Sequence, residues 1–220
     1  MATFEINFRT LIKYHKEFKF IWTQVDNTKF NHTSRVGNLV NIYNTCKPFN
    51  VKYFGEYYMN KYPTQWNTFV YNIEKWARAK FGVNAEQAYY IAYITLIYNT
   101  YVGGGAEEHM ANVIMSTGYK LWKTNPQFDT KYAVDFIGID TMEFRYGFQI
   151  KSVNSTKDNK SNYIKRNKRK NREFLKSHPH YMGVIWLYYS YEFACKSLTC
   201  NYKFEPQFSH LRSYTPRKNK

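Results

Sequence analysis

Cysteine is scarce in this chain. Cys46, Cys195 and Cys200 are its three, none sits in a CxxC pair, and an odd number cannot all be paired with one another. That excludes a zinc ribbon and a disulfide scaffold and points to a reducing, intracellular setting. Long apolar runs are missing as well: the longest, AYYIAYITLIY at 88 to 98, falls short of the roughly eighteen residues that cross a bilayer. The opening MATFEINFRT has none of the basic start, apolar stretch or small-residue cleavage site of a secretory signal. A cytoplasmic protein with no membrane partner is therefore expected. Acids are few: 16 Asp and Glu stand against 32 Lys and Arg, a formal charge of +16. Such an excess draws a polyanion or an anionic surface. AT-rich codons for Lys, Asn, Tyr, Phe and Ile explain part of the lysine count but not the shortage of acids.

What is abundant is apolar and aromatic content, 44% and 20% of 220 residues, enough for a full core in one compact domain. In YPTQWNTFVYNIEKWARAKFG, residues Trp66, Phe69, Val70, Ile73, Trp76 and Ala77 recur at helical spacing, with Gly82 placed to stop the helix. Asn84 and Gln87 form a capping-box pattern opening a second helix at about 85 to 101, apolar on most faces. Gly103, Gly104 and Gly105 follow without the Gly-Lys-Ser/Thr of a phosphate loop, so a tight link ending this helix is expected. Helical stretches near 4 to 22 and 34 to 45 complete a helical region over 1–104. After residue 105 the pattern changes to helix (106–117), strand (119–123), strand (132–140), strand (144–153), basic helix (158–176) and strand (181–190). The expected class is α/β in its α+β form, a mixed sheet with helices on both faces. Residues 191–220 read as a C-terminal extension with a frayed basic tail.

Polar residues interrupt the strand pattern at three places. If 133–140 and 144–152 form a hairpin turning at Thr141, Met142 and Glu143, then Asp140 faces Phe144 and Asp135 faces Gln149. Lys151 shares that face two residues on. Burying a carboxylate or an ammonium there without a partner would cost several kcal/mol. A plain Asp–Lys pair beside a satisfied glutamine is one reading of this trio. Upstream, Glu107 falls on the same helical stripe as Met110, Ala111 and Ile114, while Glu108 and His109 point elsewhere. A carboxylate at a helix N-terminus also has a capping role, which serves equally for either glutamate. Asp129, Asp140 and Glu143 are other acids nearby, expected at solvated strand ends or the turn.

The order of helix with acid, strand, strand with Asp, strand with Gln-x-Lys, helix and strand resembles the PD-(D/E)XK nuclease superfamily over residues 105–190. That family shares an αβββαβ core, the restriction-endonuclease-like fold. Val134-Asp135 and Gln149-Ile150-Lys151 match its signature, and Glu107 stands where many members carry a helix acid. Val134 replaces the motif's proline, and Gln149 replaces the second acid, as in some Type II restriction endonucleases. The resemblance implies Mg²⁺-dependent hydrolysis of DNA phosphodiesters, with Asp135, Gln149, Lys151 and Glu107 as the catalytic set. Asp135 would supply the charged metal ligand, Gln149 a neutral oxygen, Ile150 its backbone carbonyl, and Glu107 a contact through water. Lys151 would steady the attacking hydroxide or the charge developing on phosphate. With one acid absent, a single ion is expected.

The segment NKSNYIKRNKRKNREFLKS places Lys165, Arg166, Lys168, Arg169, Lys170 and Arg172 within eight residues, directly after the Gln-x-Lys strand. A helix there carries Ile164, Asn171 and Leu175 along one side and cations around the rest, a phosphate-contacting face or a solvated one. Tyr163 is a candidate for stacking on bases. The expected function is a Type II restriction endonuclease that cuts double-stranded DNA as a homodimer, with a cognate methyltransferase acting on the same site. A structure-selective nuclease, either a junction resolvase or a transposase cutting subunit, shares the same core. A non-catalytic nucleic-acid binder on a nuclease-like fold is the third reading.

Overall fold

The computed structural model describes residues 5–25, 30, 32–152, 160–189 and 212–214. It divides into two compact units, Met1–Gly104 and Gly105–Lys220. The first is built of helices with their own aromatic core; the second wraps helices around a sheet. Among the described residues no helix is long and apolar enough to cross a membrane.

In the first unit the helices are α1 (Phe8–Glu17), α2 (Lys19–Trp22), α3 (Thr33–Val36), α4 (Leu39–Cys46), α5 (Val51–Lys61), α6 (Pro63–Phe81) and α7 (Ala85–Tyr93). The capping box of Asn84 and Gln87 opens α7 as its spacing predicts, and Gly82 ends α6 in the left-handed region at φ 69°. Helix α5 is absent from the sequence expectation. Its buried Val51, Phe54, Gly55 and Tyr58 make too narrow a stripe to stand out in so aromatic a chain. Buried tyrosines keep their hydroxyls satisfied by reaching backbone carbonyls: Tyr58 donates to Val36 at 2.7 Å and Tyr93 to Val51 at 3.1 Å.

The glycine triplet overturns an expectation. A π-helical turn over Ile94–Tyr98 runs into α8, which spans Asn99–Ser116 and contains all three glycines. Gly104 is required by packing, since a Cβ there would stand 2.5 Å from the Tyr43 ring. The usual helix penalty for glycine, about 1 kcal/mol, is outweighed by this close approach. Glu107 therefore lies well inside a helix, and its expected N-terminal capping role falls away.

In the second unit the strands β1 (Lys120–Lys123), β2 (Phe136–Ile139), β3 (Arg145–Ser152), β4 (Tyr181–Tyr189) and β5 (Arg212–Tyr214) form one mixed sheet in the order β1-β2-β3-β4-β5. Pairings are antiparallel except β3 with β4, which are parallel and joined by α10 (Lys160–Ser177). The expected hairpin register holds: Phe136 pairs with Phe148 and Ile139 with Arg145, with the Asp140 N–H donating to the Phe144 carbonyl at 3.0 Å. The second strand is shorter than expected because Pro126–Tyr132 forms a helix, α9, capped by the Asn125 side chain.

The two sheet faces have different cores. Phe136, Phe148, Ile150 and Leu187 pack against Met110, Ala111 and Ile114 of α8. On the opposite face Val184 and Trp186 of β4 pack with Tyr132 of α9 and Phe174 of α10. Asn171 of α10 ties that layer together: its amide donates to the Tyr132 and Ala133 carbonyls, both at 2.9 Å, and its oxygen accepts from the Trp186 indole at 2.9 Å. It is 1% exposed, so none of these bonds can be replaced by water. Asn171→Ala is expected to lower unfolding free energy by roughly 3 kcal/mol, since it orphans three buried polar groups; urea titration followed by tryptophan fluorescence measures it.

Candidate active site

Asp135 stands one residue before β2, where α9 ends in a left-handed turn at Ala133, φ 54°. Its backbone is held on both sides: the N–H donates to Phe148 at 2.8 Å, and the carbonyl accepts from the Thr124 N–H at 3.1 Å. The side chain is buried, 6% exposed, and needs compensating donors. One Asp135 oxygen accepts from the Ile150 backbone N–H at 2.6 Å, and the Lys151 ammonium lies 3.4 Å away as its counter-charge. A carboxylate so supplied stays buried at tolerable cost.

Ile150 turns its N–H towards Asp135. In an extended strand the N–H and C=O of one residue face the same edge, so the Ile150 carbonyl faces that edge too. Gln149 is 1% exposed, and its Oε1 has no hydrogen-bond partner among the described residues. It alternates with Phe148 and Ile150, which belong to the α8 side, so it projects onto the α9 and α10 side with Trp186 as its β4 neighbour. A buried amide oxygen with no donor from the chain keeps its capacity to accept from a water or to face a cation. The reading of Gln149 as a satisfied amide therefore does not fit its oxygen.

Glu107 approaches from α8 and forms an ion pair of 3.6 Å with Lys123. Burial, then the Asp135 charge, push its carboxyl up to about 7, against the pull of Lys123 and Lys151. Glu108 is exposed. Asp140, one of the other nearby acids, is used by the hairpin turn: its side chain accepts from the N–H groups of Met142 and Phe144, both at 2.9 Å. Asp129 departs from the solvated position expected of it. It is half-buried on α9, and its carboxyl is pushed up to about 6, chiefly by burial and then by the Asp135 charge. The signal that points to it in the sequence is Asn125-Pro126, a helix start that places Asp129 on the first turns of a helix ending just before Asp135.

On α10, Lys165, Arg166, Lys168, Arg169 and Arg172 are exposed, while Lys170 is half-buried and donates to the Thr130 carbonyl of α9. The inward face carries Asn167, Asn171 and Phe174. The side chains of Tyr163 and Ile164, and all of 153–159, lie outside the described residues, as do Cys195, Cys200 and most of the C-terminal extension. Among the described residues no three His, Cys, Asp or Glu side chains meet as a ready-made metal cage. No family model, no curated protein and no solved structure matches the chain.

The two raised carboxyls give a pH signature. Each binds its proton more tightly folded than unfolded, so stability from these groups is full below the ordinary carboxylate range and falls as pH rises through the folded values. In metal-free buffer the urea midpoint is expected to fall between about pH 4.5 and 7. Glu107→Gln should flatten the upper part of that fall, which a series of melts at stepped pH would reveal.

Proposed function

We propose that the chain is a Mg²⁺-dependent endonuclease that hydrolyses phosphodiester bonds in double-stranded DNA, acting in the cytoplasm in the manner of a Type II restriction enzyme of PD-(D/E)XK type. The observation that carries this reading is one constellation at the shared end of β2 and β3. A buried Asp135 is held by Ile150 and Lys151, beside an amide oxygen of Gln149 left without a donor. The element order α8, β1, β2, β3, α10, β4 supports the same reading, with α9 as an addition between β1 and β2.

The donor set fits a hard cation: one charged carboxylate, one neutral amide oxygen and an edge-facing carbonyl from Ile150, leaving room for water. Asp135, Gln149 and Ile150 would hold a Mg²⁺ ion, which when bound would neutralise the phosphoryl oxygens and acidify an attacking water. Lys151 contributes a fixed positive charge. Its ammonium is positioned by Asp135 at 3.4 Å, so it meets the negative charge that grows on phosphate without having to reorient. The burial of Asp135 and Gln149 keeps bulk water from weakening those interactions.

The exposed cations of α10 supply the affinity for the polyanion. They stand on the helix whose inward face holds the carbonyls just before Asp135 through Asn171, so phosphate binding and site geometry share one rigid element. Arg169 also pairs with Glu173 at 3.9 Å, a contact too exposed to compete with a phosphate. Homodimerisation, which lets two sites cut two strands, and a matching methyltransferase belong to this proposal.

Supercoiled plasmid incubated with the protein and Mg²⁺ is expected to give discrete fragments, whereas smearing would mark a non-specific nuclease and cutting of branched substrates alone a resolvase. Lys151→Ala should reduce cleavage by at least about a hundredfold while DNA binding persists, because it removes a group used in the transition state; a variant cutting at the native rate sinks the assignment. Neutralising Lys168, Arg169 and Arg172 together should weaken binding to all sequences alike. The slope of log affinity against log salt should flatten by about 0.9 for each phosphate that is no longer neutralised; an unchanged slope would leave α10 as a solvated face.

A further inference from the structure

The helical first unit carries rings that its own core does not use. Helix α5 buries Val51, Phe54, Gly55 and Tyr58 on its inner side, and a Cβ at Gly55 would stand 2.5 Å from the Tyr93 hydroxyl, so that side is seated closely. Its outer side is aromatic as well. Phe49, just ahead of the helix, is followed by Tyr53, Tyr57 and Lys61 at steps of four, the spacing that lines residues along one helical stripe. Phe49 is 76% exposed and Tyr53 38%, and their rings lie together with centroids 4.8 Å apart and planes 30° from parallel. Farther along the stripe, the Lys61 ammonium stands 5.2 Å over the Tyr57 ring and donates to its hydroxyl at 2.8 Å.

The loop that carries Phe49 is fixed at both ends. Lys47 closes α4 in the left-handed region at φ 45°, its N–H donating to the Tyr43 carbonyl at 2.9 Å, and Asn50 caps α5 by accepting from the Tyr53 N–H at 2.8 Å. Between them Pro48 is buried, and the Phe49 carbonyl accepts from the Tyr101 hydroxyl at 3.4 Å. A backbone pinned on either side of residue 49 limits where its ring can point, so a stacking partner has little left to order. The charges around the two rings favour an anion. Lys47, Lys52 and Lys61 are exposed, and Glu56, the one acid of α5, is met by Lys52 at 3.9 Å in a pair open enough to solvent for a phosphate to displace.

We infer that the Phe49 and Tyr53 rings, with the lysines around them, form a binding surface for single-stranded DNA, on which unpaired bases stack. A phenyl ring has no donor or acceptor for a phosphate or for a base edge in a groove; what it can meet is the flat face of a base. In a duplex those faces are covered by neighbouring base pairs, and in a single strand they are open. The lysines supply charge for the phosphates between the bases, and the contact tolerates any sequence because every base has a π face. An isologous interface between two copies fits the surface less well, since it would set Lys47, Lys52 and Lys61 of one copy against the same cations of the other. The choice of DNA rests on the nuclease reading, whereas the stacking surface uses none of the residues of the Asp135 site.

The test is fluorescence anisotropy of the full chain in EDTA with two labelled probes of about fifteen nucleotides, a thymidine oligonucleotide and a strand of equal length with abasic sites in place of its bases. The native chain should bind the thymidine strand about fivefold or more tighter than the abasic one, and Phe49→Ala or Tyr53→Ala should each remove about fivefold or more from the first while leaving the second unchanged. Phe49→Trp, which returns a ring, should bind like the native chain. Lys52→Gln should weaken both probes alike. Phe49→Ala should melt at the native temperature, because the side chain it removes is mostly exposed. If Phe49→Ala binds both probes as the native chain does, the surface takes no bases and the inference is wrong; sedimentation showing that it also turns an oligomer into a monomer would make the stripe an interface between copies instead. A uridine RNA strand bound more tightly than the thymidine strand would overturn the choice of DNA. The nuclease reading fails separately, on plasmid cleavage with Mg²⁺, which plays no part in this assay.

Discussion

A carboxylate that is almost fully buried sets the terms for the second unit of this protein. Asp135 cannot give up its water without receiving donors in return, and those donors come from one strand, β3: the Ile150 N–H and the Lys151 ammonium. Supplying them requires β2 to begin where it does, in the register that sets Phe136 against Phe148. A shift of one residue would turn Gln149 and Lys151 to the α8 side and leave the carboxylate facing apolar side chains.

The same requirement explains why α9 and α10 are joined as they are. The turn that delivers Asp135 presents two carbonyls, Tyr132 and Ala133, in a layer closed to water. Asn171 meets both and turns its own oxygen to Trp186, so one amide links helix, turn and strand. The amphipathic logic of α10 is unusual in consequence. Its inward side is as much a polar clamp as an apolar stripe, and its outward side is almost wholly cationic. One helix thus grips the turn before Asp135 with one face and presents fixed positive charge to solvent with the other.

Much of this is legible in the order of residues. The hairpin can be placed because the apolar alternation on both sides of Asp140 leaves only one register with a buried face, and the Asp135, Gln149 and Lys151 trio follows from it. The glycine triplet misleads for an equally physical reason. Local propensity disfavours helix through Gly103, Gly104 and Gly105, but the Tyr43 ring occupies the space a Cβ at position 104 would need. Helix α9 is hard to see because its seven residues run into AVDFIGI, whose strand-like pattern masks the turn at Ala133. With that turn masked, Asp129 is hidden too.

By itself the sequence determined which residues are apolar, where the periodicity changes from helical to alternating, and which three polar groups interrupt a strand pair. Those are local properties, set by spacing along the chain and by the two periods of backbone geometry. Tertiary structure alone decided that Asp129 is half-buried, that Gln149 keeps an oxygen without a donor among the described residues, and that Asn171 holds the turn before Asp135. Each of these depends on groups far apart in the chain meeting in a layer without water, where a hydrogen bond left unmade cannot be replaced by solvent. Spacing along the sequence carries no record of that.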